Sequence, residues 1–422
     1  MKLKSARIAG FRSAESVLLE GSLGFDQTMN VFYGDNGAGK STLLDALAAA
    51  LSWIPARIRS QNAQGASIKD IDVNNSMSSA SISVTAQCGG GNYKWRTEKV
   101  RKGNAATSAK SDYSEVTGLA KDLVSVLNAG SGLPVLVSYP VTRAVVDVPL
   151  RIRNRHDFGA LNAYDEAFTG AANFRIFFEW FRNREDIENQ SARDNNGSIK
   201  IDRQLEAVRN AISRFLPGIT NLRISRYPSL QMEADKQGRR IRVDQLSDGE
   251  KCMLAMVGDL ARRLAIANAN GDFDPLGGAG IVLIDEVDLH LHPSWQHFVV
   301  PRLLETFPNC QFFVSTHSPL VLNNVRPGNL YMVKDVDGRM EVSRPGESFG
   351  KSVLRVLEDL MGLPETLPAE IGQKLKTIYS QIAFGETSAA RDGISELRSS
   401  GYDEPELAKA EMLIRRRELV GK

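Results

Sequence analysis

The octapeptide GDNGAGKS, Gly34 to Ser41, constrains this chain more than any other stretch. It fits the pattern G-x-x-x-x-G-K-[ST], in which glycines let backbone N–H groups curl around phosphate oxygens. An apolar run, Met29 to Tyr33, precedes it, and the Ala- and Leu-rich STLLDALAAALSWI follows from Ser41. Strand, glycine loop and helix in that order aim the positive end of a helix at an anion. Gly34, Asp35, Asn36, Gly37, Ala38, Gly39, Lys40, Ser41 and Thr42 are the expected ATP contacts. Lys40 is suited to reach the β- and γ-phosphates, and Ser41 to ligate Mg²⁺. A glycine-rich turn before an unrelated helix is the plain alternative, and the flanking strand and helix weigh against it.

A second segment supplies the missing chemistry. IVLIDEVD, Ile281 to Asp288, puts four apolar residues in a buried strand, so Asp285 and Glu286 emerge at its carboxyl end. Ligands sit at that end of α/β sheets. Asp285 suits the Mg²⁺ shell, and Glu286 suits the general base that polarises attacking water. LSDGE, Leu246 to Glu250, is an S-x-x-E capping box at a helix start. Ser247, the N–H of Gly249 and the helix dipole also make a second anion site. His317, in FFVSTHSPL, follows another apolar strand, where a neutral imidazole can contact a γ-phosphate.

Four of the five histidines, His290, His292, His297 and His317, fall close together. Their HLH spacing matches no structural zinc motif, and Cys310 lies in a different element. Metal ligation is therefore expected only for Mg²⁺ with the nucleotide.

Composition excludes more than it selects. Apolar residues make up 42% and charged residues 24%, ordinary for a globular protein. The net charge of +2 demands no nucleic-acid partner and leaves room for a local basic groove. Cys88, Cys252 and Cys310 are too few and too scattered for a disulfide scaffold and fit a reducing compartment. The start, MKLKSARIAG, lacks a signal-peptide run, and no apolar run of about 18 residues occurs. A cytoplasmic protein with no membrane partner is expected.

Periodicity organises the rest. Short strands are expected in the first thirty residues, and a helix from Ser41 limited by Pro55. Strand-like pieces at 80–87 and 92–97 interrupt a Ser-, Asn- and Gly-rich region, a helix covers 116–128, and Leu133 to Tyr139 reads as a buried strand. Residues 160–216 are helix-rich, with ENQSARDNNGS read as a loop between helices. Phe174, Phe177, Phe178, Trp180 and Phe181 recur at helical spacing and read as core packing. LRISRYPSLQME reads as a strand, then a KQGRR turn and the strand IRVDQL. Helices are expected at about 248–267 and 295–307, a strand at QFFVST, and charged helices over 351–360 and 366–420. DVDG, with Asp335 and Asp337, reads as a hairpin turn. The expected division is 1–115, an ATPase lobe with the phosphate loop and a small β region; 116–240, a mostly helical insertion whose strands return to the core; 241–345, a lobe with LSDGE, Asp285, Glu286 and His317; and 346–422, a helical extension.

Together GDNGAGKS, LSDGE, LIDEVDLHLHPSWQ and STHSP resemble ABC-type ATPases of the SMC/Rad50/RecF superfamily. They are more closely similar to stand-alone AAA-family ATPases of the RecF/OLD-like group, found in bacterial defence systems such as Septu, retron-associated ATPases and PARIS. The opening ARIAGFRSAESVLLE is similar to the first strands of that group. The resemblance covers about residues 1–55 and 240–335. It implies an α/β P-loop NTPase of ABC/SMC-head type, with a helical insertion and a helical C-terminal tail. It also implies a head-to-tail homodimer or higher oligomer that hydrolyses ATP. ATP on Lys40 and Ser41 of one subunit would meet Ser247 and Gly249 of the other. Asp288 would lie at the dimer contact, His317 would be the switch histidine, and Arg12 would lie near the nucleotide. The glutamine loop of the family has no assigned equivalent here; LVSYPVTR lies where some relatives place active-site elements but contains no glutamine.

OLD nucleases carry a C-terminal Toprim domain. Only 105 residues follow His317 (422 − 317), read as mostly helical, so no nuclease domain is expected and a separate effector protein would do that work. The leading expectation is an ATPase whose dimer state senses phage infection and controls a toxic effector. A DNA-binding repair ATPase of the RecF kind and an ATP-binding scaffold without turnover are the alternatives. Clusters at Arg143, Arg151, Arg153 and Arg155 and at Arg415, Arg416 and Arg417 leave DNA or RNA open as a partner, against a plain salt-bridged surface.

Overall fold

Two sequence periods mark two of the sheets, one alternating and one whose central strands are buried throughout. The computed structural model describes the chain except residues 104–109, 142–158, 171–173, 195–200, 271–272, 347–348, 364–366 and 421–422. The Arg143, Arg151, Arg153 and Arg155 cluster lies outside the described residues. The chain divides into two compact units, Met1–Lys351 and Ser352–Lys422.

In the first unit, β1 (Lys2–Phe11) and β2 (Ala14–Leu19) form a hairpin, and β3 (Met29–Tyr33) enters the glycine loop. Helices α1 (Lys40–Leu51) and α2 (Trp53–Arg59) follow, then the hairpin of β4 (Ser79–Cys88) and β5 (Gly91–Val100). Next come α3 (Ser114–Asn128), β6 (Val135–Tyr139), α4 (Phe174–Asp194) and α5 (Arg203–Phe215). Strands β7 (Ile219–Ser225), β8 (Gln231–Lys236) and β9 (Arg239–Arg242) lead to α6 (Asp248–Ala267) and β10 (Gly280–Ile284). Short helices α7 (Pro293–Gln296) and α8 (Val299–Thr306) precede β11 (Cys310–Thr316). Helix α9 (Pro319–Leu322) and the hairpin of β12 (Leu330–Val336) and β13 (Arg339–Ser343) complete the unit.

Among the described residues the strands form three sheets, ordered β2-β1-β4-β5, β13-β12-β3-β11-β10-β6 and β7-β8-β9. The first is antiparallel, and β4 alternates buried and part-exposed residues, the period-2 signature of a sheet with one wet face. In the second, β12, β3, β11, β10 and β6 run parallel. Its central strands β3, β11 and β10 are buried along their whole lengths, as expected of a sheet covered on both faces. The DVDG segment is the two-residue turn of the β12–β13 hairpin, with Asp337 and Gly338 both at positive φ.

One expected helix limit holds, and three other elements differ from expectation. The helix from Ser41 ends before Pro55: α1 stops at Leu51, to whose carbonyl Pro55 offers no N–H, and Pro55 is instead the third residue of a new helix, α2, where no intrahelical bond is lost. Residues 222–233 are two strands, β7 and β8, bent around Pro228, which has no N–H for a ladder. The expected 188–198 loop does not start at 188, because α4 runs on to Asp194, and residues 195–198 lie outside the described residues. Buried Glu188 links α4 to the start of α5, accepting from Arg209 at 2.9 Å and from the backbone N–H of Asp202 at 3.1 Å. The expected 295–307 helix breaks into α7 and α8 at Phe298, which turns outward beneath the Arg302 guanidinium. The aromatic group on α4 is buried.

The second unit holds α10 (Val353–Asp359), α11 (Ala369–Phe384), α12 (Thr387–Ser399) and α13 (Pro405–Val420). Its own core joins Leu375, Ile378 and Ile382 of α11 to Ile394 and Leu397 of α12 and Leu407 and Ile414 of α13. Within the Arg415–Arg417 cluster, Arg417 donates to the Ile382 and Ala383 carbonyls and caps the end of α11. Such a role is structural. Arg415 and Arg416 are exposed. No helix among the described residues is long and apolar enough to cross a membrane.

Candidate nucleotide site

Parallel register brings three loops to one edge of the sheet. Thr316 pairs with Tyr33, and Val314 with Ile284. The glycine loop after β3, His317 after β11 and Asp285 and Glu286 after β10 therefore leave the same carboxyl edge, with β11 between the other two strands. This is where an α/β sheet presents its binding crevice.

The loop itself is shaped by close approach. Gly34 has φ 150°, and a Cβ there would lie 1.9 Å from the carbonyl oxygen of Val333 in β12. No side chain fits between these strands. Gly39 opens α1 in a left-handed conformation without a side-chain cap, so the first N–H groups of the helix point into the loop. Lys40 is buried, and its ammonium donates to the carbonyls of Gly34 at 2.9 Å and Asp35 at 2.8 Å. Burial lowers its pKa, and the carboxylates of Asp285, Glu286, Asp35 and Asp288 oppose that shift. Lysine and the acidic pair thus share one electrostatic environment. Ser41 is exposed at the start of α1.

Strand β11 aims the acidic pair. The Ser315 hydroxyl accepts from the Glu286 N–H at 2.7 Å and donates to an Asp285 carboxylate oxygen. The Asp285 N–H is held by the Tyr139 carbonyl at 2.9 Å. Glu286 sits at φ 48°, an uncommon conformation for this residue and one that functional sites retain. Thr316 donates to Asp288 at 2.6 Å. Ser315 and Thr316 escaped the sequence reading; the signal was two hydroxyls ending an otherwise apolar strand.

LSDGE forms the start of α6. Ser247 caps the helix, and Glu250 reaches back to it, as the S-x-x-E spacing predicts. A Cβ on Gly249 would lie 2.5 Å from the His290 carbonyl oxygen, so the helix start abuts the segment leaving Glu286. Gly249→Ala is expected to force these backbones apart and lower turnover on the order of 10- to 100-fold, with nucleotide still binding the phosphate loop. Steady-state ATPase assays beside fluorescent-nucleotide titration check it, and unchanged turnover would refute the packing argument.

Other singled-out residues are placed as follows. Arg12 bridges Asp72 at 2.9 Å and Asp45 of α1 at 2.5 Å, bracing the helix behind the glycine loop. His292 caps α7 through Ser294, and His297 pairs with Asn324 at 2.9 Å. His317 is part-buried beside Thr316. No group of three or more His, Cys, Asp or Glu among the described residues could hold a metal by itself. Ser41 and Asp285 suit Mg²⁺, which takes few protein ligands and completes its shell with phosphate and water.

Comparison with known proteins agrees with this geometry. Residues 29–323 match the family described as "AAA domain, putative AbiEii toxin, Type IV TA system". The "Retron Ec83 probable ATPase" of Escherichia coli is 29% identical, covering 99% of this chain and 87% of its own. The "Retron Vc95 probable ATPase" of Vibrio cholerae is 31% identical over 81% of this chain and 75% of its own. Septu protein PtuA of Bacillus mycoides is 37% identical over 23% of this chain and 13% of its own. Among solved structures, the SMC head domain from Thermotoga maritima aligns with 82% of this chain and 100% of that one at TM-score 0.46 and 17% identity. The match over residues 29–323 and the retron relatives place this chain in the AAA-domain family, as a P-loop ATPase related to retron and Septu proteins.

Proposed function

We propose that this chain hydrolyses ATP as a head-to-tail homodimer and that its ATP state controls a separate toxic effector in an anti-phage system. The observation that carries the ATPase reading is the shared environment of buried Lys40 and the Ser315-aimed pair Asp285 and Glu286. The retron relatives support the defence role.

In this reading Lys40 exchanges two loop carbonyls for β- and γ-phosphate oxygens. Ser41 and Asp285 would hold Mg²⁺, which would supply charge neutralisation at the phosphates. Glu286 takes a proton from the attacking water, and His317 orients that water against the γ-phosphate. Ser247 and the Gly249 N–H of the second subunit close the site, so hydrolysis requires the dimer.

Glu286→Gln is expected to keep ATP bound, accumulate the dimer and cut turnover on the order of 10²- to 10³-fold. Light scattering with and without ATP reads the dimer. Turnover at the wild-type rate would remove Glu286 as the base, and a monomer in saturating ATP would remove the dimer mechanism. Purification through a tag, with neighbouring genes co-expressed, tests the effector. A second protein in fixed ratio supports the regulator reading; a bare homodimer before and after phage challenge overturns it.

A further inference from the structure

We infer that Lys236 is a positioning residue that lets the start of α6 accept a phosphate, an inference that rests on reading Ser247 as a nucleotide contact. Lys236 ends β8, at the turn into β9. Its ammonium lies 2.7 Å from one carboxylate oxygen of Glu250 and 2.9 Å from the other. The same carboxylate accepts from the Ser247 N–H at 3.0 Å and from the Ser247 hydroxyl at 2.9 Å. The Ser247 oxygen in turn accepts from the Glu250 N–H at 3.4 Å. Glu250 is therefore the hub of three donors, and Lys236 is the charged one.

Two consequences follow from elementary chemistry. A carboxylate in the first helical turn suits the helix dipole, yet it opposes a second anion at the same end. Lys236 cancels that charge. The Ser247 hydroxyl hydrogen points inward to Glu250, so its outward face offers lone pairs that a phosphate repels. To donate to phosphate, the hydroxyl must rotate away from Glu250. Lys236 keeps the carboxylate satisfied when it does, so the rotation leaves no charged acceptor without a partner. The Lys236–Glu250 pair makes the exchange cheap.

A merely structural surface ion pair would contribute little to stability and nothing to nucleotide response. The test compares ATP dependence of turnover and thermal midpoint for the wild type, Lys236→Met, Lys236→Arg, Ser247→Ala and the double variant Lys236→Met/Glu250→Gln. Lys236→Met should raise the ATP concentration for half-maximal turnover about tenfold, as one uncompensated charge beside an anion warrants, with a near-native melting point. Lys236→Arg should restore most of the response. Adding Glu250→Gln should also restore it, because glutamine keeps the capping box while removing the charge. A wild-type response in Lys236→Met with lost turnover in Ser247→Ala would overturn the inference and leave the Ser247 contact standing. Wild-type turnover in Ser247→Ala would overturn the Ser247 contact and the inference with it. Failure of Glu250→Gln to rescue Lys236→Met would show that charge is not the mechanism.

Discussion

Lys40→Ala abolishes detectable ATP turnover and weakens nucleotide binding on the order of 100-fold or more, while the melting temperature moves little. The argument has two halves. Lys40 is buried, and the charges of Asp285, Glu286, Asp35 and Asp288 act on its ammonium. Without it, phosphate oxygens would enter a pocket whose nearest charges are carboxylates, and repulsion would add to the lost contact. Folding has less to lose. The Lys40 ammonium binds backbone carbonyls of Gly34 and Asp35, and these stand at a loop that water reaches. Lys40→Arg separates charge from shape: it keeps the cation but places a planar fork where a point charge fits between two carbonyls. It should fold and bind nucleotide weakly, with turnover still low. Titration with a fluorescent nucleotide beside thermal melting decides the matter. Tight binding by Lys40→Ala would sink the assignment of the loop.

How much of this was legible in the sequence differs by element. The glycine loop, the acidic pair, LSDGE and His317 are local motifs, and each occupies the expected place on a helix start or strand end. The glycine loop, the acidic pair and His317 were expected at strand ends from the α/β pattern, and parallel pairing of β3, β11 and β10 brings those three to one edge. What sequence could not show was contact across distance. Ser315 carries no sign of its partners within FFVST, because Asp285 and Glu286 follow the neighbouring strand. Gly249 was expected for its N–H alone, and the close approach of a carbonyl 41 positions later (290 − 249) adds a packing reason for a residue without a side chain. Glu188 looked like loop composition, because its partners Arg209 and Asp202 come from the next helix. Each of these contacts is set by topology rather than by spacing.

Asp259→Asn destabilises the first unit by about 3–5 kcal/mol, far more than its small change in shape suggests. Asp259 lies in the middle of α6, is wholly buried, and accepts from Arg262 and Arg263 at 2.7 Å each and from the Tyr139 hydroxyl at 2.9 Å. Burial raises its pKa, but the two guanidiniums win, and the carboxyl titrates at about 2. The sign follows: a depressed folded pKa contributes stability that is complete above the ordinary carboxylate range and is lost as pH falls toward 2. Arg263 has other acceptors, the carbonyls of Ala163 and Asp165, whereas the Arg262 Nε is already buried without a partner. Arg262 therefore suffers most when Asp259 loses its charge. If that is the cause, Asp259→Leu combined with Arg262→Met should cost less than Asp259→Asn alone, because the stranded charge leaves with its partner. Urea unfolding of the three proteins tests this, and a midpoint for Asp259→Asn near that of the wild type would refute it. The consequence reaches the nucleotide site. Tyr139 ties Asp259 through its hydroxyl and Asp285 through its carbonyl, so the middle of α6 and the Mg²⁺-facing strand end share one residue. Loosening Asp259 should therefore lower turnover in protein that is still folded, under conditions well below its unfolding midpoint.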